Sequence, residues 1–416
     1  MTFNLLEVST NFIDFTVESI GINGLNWIGN IIKWLIEGVG IIGIGIILFT
    51  LILKTIVLPL DIYSRVKMKK QSLIMKSMRP EMEKLQKQYA NDKNMYNQKV
   101  MELQKQNGIS MLSACLPMIV TLVIFMVVFS AFSTYSQYAN ASTYNEMVNS
   151  YNTSVQTYVI EAGNTNGFLI KTTDESLGET AYLVDFELFK GVYSVPADFD
   201  GKPESVKMEI VRVFVRENAR KAAADYYRDN KPNFLWIRNI WYPDSPMNME
   251  IPEFGNFSSS IARATSGIDA SYEESYDEVT YYLKNAGYED TNGKYEGNRV
   301  NGYLILIVLA IGLMFLQQFI SMRSQKDANE LSTVDGSGAR QNKLMLIMLP
   351  IIYGIFSFFY SAAFSIYMIT NTIYSLLTTL IINKAMDVSF SKQEASGGYN
   401  VKRNSNNNQN NRKRLK

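Results

Sequence analysis

The stretch GVGIIGIGIILFTLILKTIVLPL, residues 38–60, decides the fold class of this 416-residue chain. A run of about 20 apolar residues is long enough to cross a bilayer as a helix. Lys54 is the only charged residue in the stretch. Because an ionisable group inside a span is costly and usually faces a protein interior or water, Lys54 is the first candidate functional residue.

Further apolar stretches follow, and together they predict an all-α membrane protein with five transmembrane helices. The predicted spans are residues 38–60, 111–137, 301–322, 342–360 and 361–384. Two of the intervening segments differ sharply in charge, and basic segments tend to stay in the cytosol. The segment 61–110 holds 11 Lys and Arg against 5 Asp and Glu, whereas 138–300 holds 15 against 25. This bias predicts a multi-pass protein with its N-terminus outside and its C-terminus in the cytosol.

The basic segment 61–110 is expected to form a cytosolic helical hairpin. It contains two apolar seams at helical spacing, separated by the polar break Ala90-Asn91-Asp92. Pro80 falls inside the first seam and is expected to kink that helix or to start a new one.

The remaining cytosolic segments and the N-terminus have simpler patterns. Residues 1–37 are predicted to be an extracellular N-terminus, in which 24–37 has the periodicity of an amphipathic helix lying in the membrane interface. Residues 323–341 are predicted to be a cytosolic loop. Residues 385–416 end in an asparagine-rich and basic stretch, which predicts a disordered cytosolic tail.

The acidic segment 138–300 has the size of a domain and predicts an extracellular α+β insertion. Residues Glu204–Arg228 have the composition of a helix, and Tyr182–Phe189 resembles a strand. An extracellular partner of this segment is one hypothesis for its role.

The composition argues against an enzyme. The chain has no histidine, and Cys115 is its single cysteine, so no intramolecular disulfide can form. Metal chemistry and catalysis by serine–histidine or cysteine–histidine arrangements are therefore not expected. We expect neither a metal nor a cofactor.

A methionine-rich seam in the first hairpin helix is a candidate substrate contact. Its members are Met75, Met78, Pro80, Met82 and Leu85. Methionine side chains suit adaptable contacts with varied partners. An equally good reading is that these methionines hold the two hairpin helices together.

Polar residues within the spans are candidates for a hydrophilic groove. They include Thr50, Lys54, Gln317, Tyr367, Asn371 and Ser375. Thr50 lies one turn from Lys54 on the same helix face. None of the predicted spans contains an acidic residue, so a proton relay is not expected. From the residues alone, Lys54 either extends to the cytosolic interface or faces a hydrated groove.

The order of the motifs resembles that of a known family. The motifs are LILKTIVLPL, MRPEMEKLQKQYANDK, ACLPMIVTLVIF, FLWIRNIWYPDSP, GLMFLQQFISMRS and NKLMLIMLPIIYGIFSFFYSAAFSIYMITNTIYSLL. Together they resemble the YidC family of membrane protein insertases, over residues 24–137, 234–246 and 302–385.

The resemblance implies a five-helix core around a hydrophilic groove that opens to the cytosol and to lipid. Lys54 matches the basic groove residue of the family, which is usually arginine, and Thr50, Tyr367 and Asn371 match other groove positions. Gln317 is a further groove candidate. The hairpin is implied to receive substrates. The implied partners are nascent membrane proteins, the ribosome, the Sec translocon and membrane lipid.

The implied location is the plasma membrane of a bacterium of the Gram-positive type. The long 138–300 segment departs from the short links usual in the family. Two alternatives remain: a transporter or channel with Lys54 as an anion site, which lacks the expected inverted repeat, or an envelope scaffold acting through residues 138–300.

Overall fold

The computed structural model describes residues 12–108, 111–161, 164, 166–172, 181–285, 289–290, 293–294, 297–324 and 337–395. The chain divides into two compact units. The first unit comprises Met1–Phe49, Ile124–Leu309 and Tyr353–Tyr367, and the second comprises Thr50–Val123, Ala310–Ile352 and Met368–Lys416.

The described residues are mostly helical. Two helical stretches, Ile42–Lys67 and Ala362–Ser389, are long and apolar enough to cross a bilayer, and two shorter apolar stretches, Ile305–Ser321 and Pro350–Phe359, are also helical. A mostly helical chain with candidate membrane spans and a small β component is thus confirmed. The count of five spans stays a prediction.

Helix α1, Trp27–Val39, has the amphipathic character expected of residues 24–37. The side chain of Asn26 caps it by accepting a hydrogen bond from the N–H of Gly29 at 2.7 Å. Its Ile32 and Ile36 are buried, whereas Trp27 and Trp34 are exposed.

Two contacts fasten helix α1 to other helices of the first unit. The Lys33 ammonium donates to the Tyr138 hydroxyl at 2.9 Å, and this bond raises the pKa of Lys33. At Gly45, an added Cβ would lie 2.7 Å from the Cα of Ile36. Glycine at this position therefore permits the backbones to approach closely.

Helix α2, Ile42–Gln88, continues well beyond the predicted span. Pro59 and Pro80 both lie inside it, so Pro80 does not start a new helix, and the alternative of a kink at Pro80 stays a prediction. The proline ring removes one helical hydrogen bond, and the bonds of the flanking turns keep the helix continuous. Helix α3, Lys93–Gln106, follows after a turn, and the Asp92 side chain caps it by accepting from the N–H of Met95 at 3.0 Å.

Helix α4, Met111–Gln156, likewise runs past the predicted end of its span at residue 137. The segment that follows belongs to the insertion 138–300, whose extracellular location stays a prediction. Its elements in chain order are β2 Leu169–Lys171, β3 Ala181–Val184, α5 Phe186–Val192, a 3₁₀ turn Phe199–Gly201, α6 Glu204–Asn230, α7 Phe254–Ile261, α8 Tyr272–Lys284, β4 Glu289–Asp290 and β5 Gly293–Lys294. Strand β1, Ile13–Asp14, comes from the N-terminal segment.

The sheet is antiparallel with the order β1-β3-β2, and Ile13 pairs with Tyr182. The strand expected over Tyr182–Phe189 is only partly present, because the chain turns into helix α5 after Val184. The reason is Asp185, whose side chain accepts from the N–H groups of Glu187 and Leu188 and so starts the helix.

The helix expected over Glu204–Arg228 is confirmed as α6. It packs against α8 around a core that also includes residues from the end of α4. Arg220 forms a forked ion pair with Glu278, with N···O distances of 2.6 and 3.0 Å, and the Tyr151 hydroxyl of α4 donates to the same carboxylate at 2.9 Å. The insertion therefore has its own core, to which the extension of α4 contributes.

The chain ends with three helices: α9 Ile305–Ser324, α10 Ser337–Phe359 and α11 Ala362–Ala395. Helix α11 includes residues 385–395 of the predicted tail. Residues 325–336 of the predicted cytosolic loop and residues 396–416 of the tail lie outside the described residues.

Candidate functional site

Lys54 contacts a neighbouring helix of the second unit. Its ammonium donates to the Ser375 hydroxyl of α11 at 3.2 Å, and the Lys54 side chain is half-buried. A lysine that extends to the interface would instead run along its own helix. The observed contact directs the charge sideways, toward the polar face of α11.

That face of α11 is lined with hydroxyl and amide groups. Thr372 and Ser375 are buried, and Asn371 lies one turn before Ser375 and is half-buried. The Thr379 hydroxyl donates to the carbonyl oxygen of Ser375 at 2.5 Å. Such groups can solvate an ammonium without neutralising it, so the positive charge stays available to an anion.

The other predicted groove residues lie in different surroundings. Thr50 is fully buried one turn from Lys54, and Gln317 on α9 is half-buried. Tyr367 belongs to the first unit and is buried among aromatic rings, with centroids 5.5 Å from Phe132 and 6.1 Å from Phe364. The structure thus brings Lys54 to the polar face of α11, and it surrounds Tyr367 with apolar rings.

Two residues of the hairpin seam, Met78 and Met82, are buried between α2 and α3. Met78 and Met82 form an apolar cluster with Tyr96 and Val100 of α3, and Leu85 packs partly against it. This packing corresponds to the reading in which the methionines join the two helices. Pro80 is exposed. The Met75 side chain lies outside the described residues.

Asp244, which the sequence analysis did not single out, holds the start of helix α9. Its side chain is fully buried and accepts hydrogen bonds from the backbone N–H groups of Tyr303 and Leu306, both at 2.7 Å. The indole N–H of Trp236 donates to the same carboxylate at 3.3 Å. Because N–H groups at a helix start have no partner within the helix, the carboxylate stabilises this end of α9.

The same 234–246 segment also caps helix α11. The N–H of Ala362 donates to the carbonyl of Tyr242 at 2.9 Å, and the N–H of Ala363 donates to the carbonyl of Ile240 at 3.0 Å. Backbone groups of the segment therefore take the place of the usual capping side chain.

Two more helices of the first unit touch the 234–246 segment. On α4, the Ser136 hydroxyl donates to the carbonyl of Trp241 at 3.1 Å. On α2, the ring of Phe234 lies so close to Gly43 that an added Cβ would be 2.3 Å from it. The segment thus links the ends of α2, α4, α9 and α11. The signal for this role in the sequence is the motif FLWIRNIWYPDSP, which has a single acid among aromatic residues.

Among the described residues, no group of three Asp, Glu or Cys side chains is placed to hold a metal ion. The chemistry of the site is that of a partly buried cation with hydroxyl and amide neighbours.

Comparison with known proteins identifies related sequences. The family described as "60Kd inner membrane protein" matches residues 34–169 and 210–390. The chain is 43% identical over 91 residues to the "Membrane protein insertase YidC" of Fusobacterium nucleatum, covering 22% of this chain and 42% of that protein. It is 32% identical over 116 residues to the protein of the same name from Caldanaerobacter subterraneus, covering 28% and 54%.

A third relative of that name, from Oceanobacillus iheyensis, is 33% identical over 109 residues, covering 24% of this chain and 42% of the relative. The chain spans about half or less of the length of these curated relatives. Residues 170–209 of the insertion fall between the two parts that match the family.

Proposed function

We propose, from the premise that this chain belongs to the 60Kd inner membrane protein family, that it is an insertase and chaperone for membrane proteins. The family match covers parts of every predicted span. It favours insertion over the alternatives of a transporter with an anion site at Lys54 and a scaffold acting through residues 138–300.

The observation that carries the proposal is the sideways contact of Lys54 with Ser375 at 3.2 Å. The Lys54 ammonium belongs to an apolar helix and lies among hydroxyl and amide groups. A cation in such surroundings needs water near it. We infer a hydrated groove that uses Thr50, Lys54, Gln317 and Asn371. Lysine presents a point charge, unlike the planar fork of arginine, so it attracts a carboxylate with less demand on geometry.

The proposed mechanism needs no catalytic residue and no cofactor. A polar or acidic segment of a nascent chain enters the groove and is attracted to Lys54. The apolar segment that follows partitions into lipid, because burial of apolar surface away from water is favourable. The membrane potential assists the outward movement of acidic residues.

The 234–246 segment ties helix ends of the first unit together. It connects four helix ends through the buried Asp244 carboxylate and through backbone hydrogen bonds. With the N-terminus outside and the C-terminus in the cytosol, this segment would lie on the outer side of the membrane. Independently of it, the groove is proposed to open only toward the cytosol and lipid.

The α2–α3 hairpin is proposed to lie in the cytosol and to receive nascent chains. Since Met78 and Met82 are buried between the helices, the contact surface falls to exposed residues such as Pro80, and to Met95 and Met101 of α3. Exposed methionines suit substrates of varied sequence. The ribosome and the Sec translocon are the proposed cytosolic and membrane partners.

The extracellular insertion is proposed to serve a role specific to this chain. Its core is well packed, and residues 170–209 have no counterpart in the family match. An extracellular partner would therefore be expected to contact this part.

Complementation tests the proposed function. The full chain would be expressed in bacterial cells depleted of their own insertase, and insertion of a small single-span substrate would be followed by protease protection. We expect the chain to restore insertion. The proposal would be contradicted if the chain reached the membrane but restored the insertion of none of several such substrates.

A further inference from the structure

Helix α2 carries a second cation on the face of Lys54, and we propose that Arg65 is a second anion-binding point of the groove, for carboxylates of the inserting chain. This inference rests on the proposed function. Arg65 lies 11 positions after Lys54, and Asp61 lies 7 positions after it. With about 100° of rotation per residue, both fall within about 20° of the Lys54 direction.

Arg65 lies closer to the predicted cytosolic end of helix α2 than Lys54 does. Eleven residues at about 1.5 Å each place it about 17 Å from Lys54 along the helix axis. It still lies within the apolar helical stretch Ile42–Lys67. In the proposed topology Arg65 is nearer the cytosol, so an entering carboxylate meets it first and Lys54 second.

The Arg65 side chain has unused hydrogen-bonding capacity. Its Nε is buried and has no hydrogen-bond partner among the described residues. Buried donors are almost always satisfied, so an unpaired one points to a missing acceptor. The guanidinium presents several N–H groups in a planar fork that matches a carboxylate.

A topology signal alone does not account for this arrangement. Cations that set orientation need only reach the cytosolic water, as the exposed Lys84 and Lys87 of the same helix do. Arg65 instead places a buried nitrogen on the face that bears Lys54.

Asp61 adds a negative charge to the same face of helix α2. It lies one turn from Arg65, between the two cations, within the reach of a side-chain pair on a helix. The Asp61 carboxylate competes with an incoming carboxylate for Arg65. It also repels the incoming group, because both are negatively charged. Binding at Arg65 is therefore weak enough for the inserting chain to move on to Lys54. A transit site needs this balance between entry and release.

The test uses the full chain, reconstituted in vesicles, and two single-span substrates. One substrate has an aspartate in its outward-bound segment, and the other has asparagine at that position. Arg65→Ala is expected to lower insertion of the aspartate substrate by about threefold to tenfold, the range of a partly hydrated ion pair, and to leave the asparagine substrate unchanged. Arg65→Lys keeps the charge and is expected to retain most of the activity.

The control is Arg212→Ala, which removes an exposed arginine of α6 that pairs with Glu209 on its own helix. It is expected to leave both substrates unaffected. If Arg65→Ala and Arg65→Lys both lower insertion, and lower it equally for the aspartate and the asparagine substrate, Arg65 has a structural role. That result would overturn the proposal. Unchanged insertion in Arg65→Ala, together with a loss in Lys54→Ala, would overturn this inference alone. Failure of the wild-type chain to insert either substrate would overturn the proposed function as well.

Discussion

Replacing Asp244 with alanine removes the buried carboxylate that holds the start of helix α9. Two backbone N–H groups, of Tyr303 and Leu306, lose acceptors at 2.7 Å, and the indole of Trp236 loses a weaker one at 3.3 Å. Hydrogen bonds to a charged group contribute about 1.5–3 kcal/mol each, so the two short bonds predict a loss of about 3–6 kcal/mol in the free energy of unfolding.

Two further variants separate the effect of burial from that of capping. Asp244→Asn keeps one acceptor oxygen and is expected to lose about half as much, roughly 1.5–3 kcal/mol. Asp185→Ala removes a helix cap of the same chemistry from α5, where the capped N–H groups are exposed. Its expected loss is about 0.5–2 kcal/mol, the ordinary range for a cap.

The assay is unfolding of the purified chain in mild detergent by added sodium dodecyl sulfate, followed by tryptophan fluorescence and far-ultraviolet circular dichroism. Trp236 donates to Asp244 and so reports on the site directly. We expect the order wild type, Asp185→Ala, Asp244→Asn, Asp244→Ala from most to least stable. An Asp244→Ala variant no less stable than Asp185→Ala would refute the stabilising role of the buried carboxylate.

Two further predictions concern packing. Gly43→Ala places a Cβ in the ring of Phe234 and is expected to lower the free energy of unfolding by about 1–3 kcal/mol in the same assay. The control is Gly312→Ala, whose Cβ meets nothing within 4 Å and which is expected to be neutral or slightly stabilising. Equal effects of the two substitutions would refute the close contact. Met82→Ala leaves a cavity at a fully buried position and is expected to lower the stability of the hairpin by about 2–5 kcal/mol. The loss is measured as faster amide hydrogen exchange across α3, Lys93–Gln106. Unchanged exchange there would show that the Met82 cluster does not hold the two hairpin helices together.

Local periodicity was sufficient to predict several elements. The alternation of apolar and polar residues in 24–37 and the composition of Glu204–Arg228 both correspond to helices in the structure. The strand expected over Tyr182–Phe189 stops at Val184, since the cap formed by Asp185 is stronger than the strand preference of the residues that follow it. A capping hydrogen bond depends on the local backbone, which composition alone does not determine.

The candidate site was predictable only in part. Lys54 is visible in the sequence as a charge in an apolar run, but its partner Ser375 is 321 positions away. Asp244 appears in the sequence as one acid among many in an acidic segment, and its burial depends on helix ends that are distant in the chain. Such contacts arise from tertiary packing, about which periodicity carries no information.

The first span is predicted to end at residue 60, whereas the helix that contains it continues to Gln88. The apolar helical stretch continues to Lys67 and includes Asp61. Pro59 lies inside helix α2, so this proline does not mark the end of the helix.

The most direct test of the central claim measures insertion by the purified chain and its Lys54 variants in vesicles. A small single-span substrate with an acidic outward-bound segment would be synthesised in the presence of vesicles, and protease protection would give the inserted fraction. Wild type and Lys54→Arg are expected to insert the substrate. Lys54→Ala should insert less, and Lys54→Glu should insert least, because it repels the acidic segment. The account would be contradicted if the inserted fraction were the same for vesicles with the wild-type chain, vesicles with the Lys54→Glu chain and vesicles without protein.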